Sequence, residues 1–145
     1  MYKKIHLDIH ETKNVFNNKH NGNLTVIWRD WDNIISSPKM IYITSVHSGE
    51  IKGPHLHKKR DTYFLCIKGK VMFVIRDDNG CYHEIQADSQ DPFLLHVPKN
   101  IASAHINLSP NTSEILVLAN VAWRPNDDEM INLSFEDYDW KKFTI

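Results

Sequence analysis

Two histidines stand one residue apart in the stretch Lys52-Gly53-Pro54-His55-Leu56-His57-Lys58. In an extended strand alternate side chains share a face, so both imidazoles point the same way. Imidazole titrates near neutrality and also ligates metals, so the pair can move protons or hold an ion. A β-rich run, Thr62-Tyr63-Phe64-Leu65-Cys66-Ile67-Lys68, follows and ends at Gly69. Further along, Ser103 and His105 repeat the two-residue spacing and can look into the same space.

The elements that must position these groups read as strands. Leu24 to Trp28, Met40 to Val46, Tyr63 to Lys68 and Val71 to Arg76 are rich in branched and aromatic residues. Asp77-Asp78-Asn79-Gly80 predicts a hairpin with a type I′ turn, and Tyr82 to Ile85 is the returning strand. Phe93 to Val97, Ala104 to Leu108 and Glu114 to Val121 complete the set. Brief helical turns are expected only at Trp31 to Ile35 and Asp127 to Ile131. Short strands with turn signals between them indicate an all-β sandwich or barrel.

Composition bounds the rest. A chain of 145 residues without a repeat, low-complexity tract or linker is expected to form one domain over 1–145. A net charge of −1 with scattered basic residues gives no electrostatic reason for a nucleic-acid partner. The Lys58-Lys59-Arg60 triplet reads first as a solvated loop. Met1-Tyr2-Lys3-Lys4 leads into no apolar run, and no segment approaches the ~20 apolar residues of a membrane helix, so a cytoplasmic, membrane-free protein is expected. Cys66 and Cys81 read as reduced thiols, too few for a disulfide scaffold or a thiolate metal site.

The order β-run, H-x-H, strand, Gly, hairpin, Pro-x-Asn, strand resembles a cupin, a double-stranded β-helix (jelly roll) with a ligand cavity at its mouth. Among cupins it most resembles nucleotide-sugar isomerases and epimerases. Ketoisomerases of dTDP-4-keto-6-deoxyhexoses carry Arg-Gly-x-His-x-His-Lys, matched by Lys52 to Lys58, with Gly69 at the matching distance. Lys39 and Tyr42 echo the family's upstream strand, and Leu116-Val117-Leu118-Ala119-Asn120 matches its Leu-Val-Leu-Ala-Ser run. The dTDP-4-dehydrorhamnose 3,5-epimerases share much of this, including a Pro-x-Gly turn read here as Pro98-Lys99-Asn100 and a Leu-Ser pair at Leu108-Ser109. The chain departs at Lys52 for arginine, at Thr62 for glutamine, and at Ser103 for the second-motif histidine, with His105 two residues later. The epimerase's C-terminal aspartate has no assigned equivalent; Asp127, Asp128 and Glu129 are candidates by proximity alone.

The resemblance implies metal-independent proton transfer beside the ketone of a nucleotide-linked 4-keto-6-deoxyhexose, serving deoxysugar and surface-polysaccharide synthesis. It implies catalytic roles for His55, His57 and Tyr42. Lys39, Lys52, Lys58, Arg60, Ser103, His105 and Trp123 become substrate-binding candidates, with no cofactor required. Trp28 or Trp123 can stack on the base or line the sugar pocket, while Trp28, Trp31 and Trp140 read first as packing residues or interface anchors. His47, His83 and His96 lack a motif and read as ordinary sheet or surface histidines. Two alternatives stay open: a metal cupin using His55, His57 and His105 with Asp61, and a non-catalytic sugar-binding cupin. A homodimer is implied, and the Ile5-His6-Leu7-Asp8-Ile9 run is expected to extend a partner's sheet by strand addition.

Overall fold

Runs of branched and aromatic residues alternate with short polar turns, and the backbone follows them closely. In the computed structural model, which describes residues 1–34 and 37–143, the strands are β1 (Lys3–His6), β2 (Asp8–Lys13), β3 (His20–Val26), β4 (Met40–Val46), β5 (Ile51–His57) and β6 (Thr62–Lys68). They continue as β7 (Lys70–Arg76), β8 (Tyr82–Asp88), β9 (Phe93–Val97), β10 (Ala102–Asn107), β11 (Ser113–Ala119) and β12 (Met130–Asn132). One short 3₁₀ turn, Trp140–Phe143, follows.

The strands build two five-stranded antiparallel sheets, in the orders β1-β9-β6-β11-β4 and β12-β5-β10-β7-β8, plus a separate β2-β3 hairpin. This is the expected jelly roll. Alternation points Phe73, Ile75, Leu95, Val97, Ile115 and Val117 into the space between the sheets, where they form one buried cluster. Fully burying each such side chain stabilises the fold by roughly 1.5–3 kcal/mol. Two further clusters seal the outer faces. Trp28, Ile27 and Ile34 cover Tyr63, Leu65, Leu94 and Leu118, while Phe135, Leu133 and Trp140 cover Val74, Ala102 and Ala104.

Three local expectations need correction. The 77–80 hairpin turn forms, closed by Gly80 N–H to Asp77 O at 3.0 Å, but only Gly80 has a positive φ (79°). A type I′ turn needs two such residues; here the Asp77 carboxylate accepts from the Asn79 and Cys81 amides and holds the tighter alternative. The Asp127–Ile131 region is not helical: residues 130–132 pair with β5 as a strand. Trp31 lies in a turn instead of a helix, and Ile35 lies outside the described residues. The N-terminal run also pairs within the chain, with Ile5 of β1 opposite Leu94 of β9 and Ile9 of β2 opposite Thr25 of β3, and β1 remains an edge of its sheet.

Candidate active site

One open cavity of about 230 Å³ lies between the sheets at the end carrying the H-x-H pair. Tyr42 and Thr44 of β4 line one side, with Phe64 of β6 behind them. Lys52, His55 and His57 of β5 and Ser103, Ala104 and His105 of β10 line the other, and Arg60 and Met130 complete the wall.

The β5 backbone is shaped to present the histidines. Gly53 has a φ of 86°, and a Cβ there would fall 2.9 Å from the Ser103 carbonyl oxygen, so a side chain is excluded twice over. Ser103 pairs with His55 across β5 and β10, and the register slips before His105, which pairs with Lys52. That irregularity brings Ser103, Ala104 and His105 all to the cavity wall. The Pro98–Asn100 turn braces the far end: Asn100 holds a φ of 67° where the resembled turn has glycine, and its amide donates to the His57 carbonyl at 2.7 Å.

Each histidine has a different neighbour. Asn132 lies opposite His55 in the β12–β5 ladder, and its Oδ1 is 2.9 Å from His55 Nδ1. An amide oxygen only accepts, so Nδ1 carries the proton and Nε2 keeps its lone pair. His57 Nδ1 is 2.7 Å from Glu129 Oε1, and Arg60 Nη2 is 3.0 Å from His57 Nε2. The same Nη2 lies 3.1 Å from Nδ1, so the guanidinium sits over the ring face, and Nδ1 is the nitrogen held in the ring plane, by Glu129. Burial holds the His57 imidazole below its ordinary range, against the pull of Glu129, and the Arg60 charge adds to the depression.

His105 is buried, its ring 5.3 Å from that of Phe73, and among the described residues Nε2 has no hydrogen-bond partner. Burial, with Lys52 and His55 nearby, pushes its pKa down to about 4. Burial raises the Tyr42 phenol, opposed by Arg60, so the hydroxyl keeps its proton at neutral pH. Lys52 Nζ donates to Thr44 Oγ1 at 2.9 Å across the mouth of the cavity.

Tyr42, Lys52, His55, His57, Arg60, Ser103 and His105 are therefore brought together, as the sequence implied. Lys39, Lys58 and Trp123 are not part of this wall. Lys39 is exposed with its amide on the Ala119 carbonyl, and Lys58 turns to Asp128 at 3.9 Å because alternation sends it opposite to His57. Trp123 is 63% exposed. Trp28 packs beneath the outer face of the first sheet. The metal set does not converge: Asp61 bonds His96 Nε2 and the Lys99 amide, both at 2.9 Å. Among the described residues no three His, Cys, Asp or Glu side chains group as ligands. Asn132 escaped the sequence reading altogether, and Glu129 entered it only by proximity. The short apolar pair Met130-Ile131 was the available strand signal.

A family model described as WxcM-like, C-terminal (FdtA) matches residues 5–138. The chain belongs to this family. No curated relative matches the sequence. Among solved structures, the WxcM-like chain is similar to a dTDP sugar isomerase from Desulfovibrio desulfuricans G20, with 13% identity and a TM-score of 0.81 over 96% of this chain and 90% of that one. It is also similar to a 3,4-ketoisomerase from Helicobacter canadensis, with 22% identity and a TM-score of 0.72 over 98% and 93% of the two chains. The capsular polysaccharide assembling protein CapF from Staphylococcus aureus aligns at 20% identity and a TM-score of 0.60 over 63% of this chain, which spans only 27% of CapF. Across these neighbours the fold is shared.

Proposed function

We propose that this WxcM-like protein isomerises or epimerises a nucleotide-linked 4-keto-6-deoxyhexose by metal-independent proton transfer. The observation that carries the reading is His55, whose Nδ1 is committed to Asn132 while Nε2 stays free beside the cavity. A base poised near neutrality suits removal of a proton next to a carbonyl. The proton passes to His55, the C–H electron pair becomes the C=C bond, and the carbonyl π pair moves onto oxygen to give an enediolate. Delivering a proton to the former carbonyl carbon, with loss of the neighbouring hydroxyl proton, moves the ketone. Delivering it to the original carbon from the other face inverts that centre.

Tyr42 keeps its phenolic proton and serves as the acid; His57 lines the same wall. The cavity is smaller than the roughly 300–1,000 Å³ of drug-sized sites, so it takes the sugar and leaves the nucleotide at the mouth. Lys52 stands there for the diphosphate, assisted by Lys58 and Lys39 further out. Ser103 and His105 offer hydrogen-bonding groups to the hexose, and we assign Trp123, exposed outside the wall, to the base. We assign the protein to the cytoplasm, as a homodimer feeding deoxysugars to surface-polysaccharide synthesis. The matched names of the Desulfovibrio and Helicobacter structures support this substrate class.

The test is wash-in of solvent deuterium at the sugar carbon, run on chelator-treated protein with a dTDP-4-keto-6-deoxyhexose. Wild type is expected to exchange and turn over after chelation, while His55→Asn loses about 10²–10⁴-fold in both. Wild-type exchange rates in His55→Asn would remove this residue from the mechanism. Activity lost on chelation and restored by one metal would hand the site to the metal reading.

A further inference from the structure

We propose that Arg60 is a catalytic residue of this site, its guanidinium facing the oxygen that becomes negative in the enediolate instead of the substrate diphosphate. The inference rests on the acid–base reading above. Arg60 is 7% exposed and yet lines the cavity, whereas a diphosphate at the mouth meets exposed cations such as Lys52. A buried cation is costly unless paired, and this one is framed on two sides. Nη2 lies against His57 Nε2, and Nε stands 3.7 Å from Glu129 Oε1. The same Glu129 oxygen accepts the His57 Nδ1 proton, so carboxylate and imidazole are hydrogen-bonded with the guanidinium ion-paired beside them, while among the described residues Arg60 Nε and Glu129 Oε2 are buried without a hydrogen bond. Beneath it, the guanidinium carbon lies 6.0 Å from the centre of the Tyr42 ring.

What remains of the guanidinium is Nη1. Among the described residues the nitrogens of Arg60 that are hydrogen-bonded or sealed from solvent are Nη2 and Nε. The remaining N–H edge is the one left for the cavity, whose wall Arg60 shares with Tyr42, His55 and His57. Arginine keeps its charge at any working pH. A fixed cation in a partly dry pocket stabilises developing negative charge without reorganising, which is often the largest catalytic contribution. Glu129 and His57 act through Arg60 as positioning residues.

The experiment compares Arg60→Met, Arg60→Lys and the charge-balanced double variant Arg60→Met/Glu129→Gln with Lys52→Ala. Steady-state kinetics on a dTDP-4-keto-6-deoxyhexose are read beside the affinity for dTDP alone and the melting temperature. For Arg60→Met and the double variant kcat is expected to fall about 10²–10³-fold, as for loss of an oxyanion donor. KM and dTDP affinity are expected to stay within about threefold, while Lys52→Ala shows the reverse split. Arg60→Lys keeps part of the rate, and in an Arg60→Ala variant added for the purpose, guanidinium ion restores part of it. A raised KM and weakened dTDP binding with kcat preserved would return Arg60 to the diphosphate and overturn the proposal. So would a loss of kcat that tracks melting temperature and is insensitive to guanidinium. A wild type that binds dTDP yet neither exchanges deuterium nor turns over removes the parent reading, and this one with it. Should the single methionine variant unfold, the double variant and Arg60→Lys decide.

Discussion

His105 occupies the cavity wall against Phe73, and burial, with Lys52 and His55 facing it, pushes its pKa down to about 4. The unfolded chain binds this proton near pH 6.5 and the folded one does not, so folding is favoured fully above about 6.5 and progressively less toward 4. The gap corresponds to roughly 3 kcal/mol of stability lost across that window. Urea unfolding of wild type and His105→Gln between pH 7 and 4 measures it: the variant is expected to show a shallower acid slope, and parallel slopes would refute the assignment. At this scale the sequence was informative where chemistry follows spacing. His55 and His57 share a wall because a strand alternates, and Lys58 leaves it for the same reason. The roles of Glu129 and Asn132 were hidden because they lie more than seventy residues away from the groups they touch.

β12 is only three residues long, yet it and the residue before it supply the partners of both β5 histidines. It stays in place because the following segment is anchored: Phe135 is buried against Tyr82, Arg76 lies over its ring, and the Leu133 amide bonds the Pro54 carbonyl at 3.1 Å. Asn132→Ala is expected to free the His55 ring. Losing one hydrogen bond to a developing imidazolium, about 1.5–3 kcal/mol, corresponds to roughly a ten- to hundredfold fall in kcat. Unchanged kcat with a freely rotating ring would show that the tautomer needs no anchor. Most longer strands were legible from branched residues and turn signals, with β4 and β9 matching their expected ends. β12 was not, because a three-residue strand with exposed side chains has no periodicity to read and takes its conformation from the ladder with β5.

At the scale of the molecule, strand content pointed to a jelly roll but strand order did not. Neighbours such as β1 and β9, or β11 and β4, are far apart in the chain, and nothing local encodes the crossover that joins them. The resemblance supplied that architecture, and the family match agrees with it. The outer face of the edge strand β4 leaves Ile41 and Ile43 each 59% exposed, which is the apolar surface a sheet-to-sheet dimer would cover. Light scattering is expected to give twice the chain mass for wild type and the single mass for Ile41→Lys/Ile43→Lys. A wild-type monomer would dismiss the dimer.

The placement of Glu129 and Asn132 also ties the site to the integrity of its sheet. β12 is the last strand of either sheet in chain order, so both β5 histidines receive their partners from the end of the fold. A chain clipped before residue 129 would lose the partners of both histidines together with the Phe135 and Trp140 cover over Val74, Ala102 and Ala104, so the site and that sheet would loosen together.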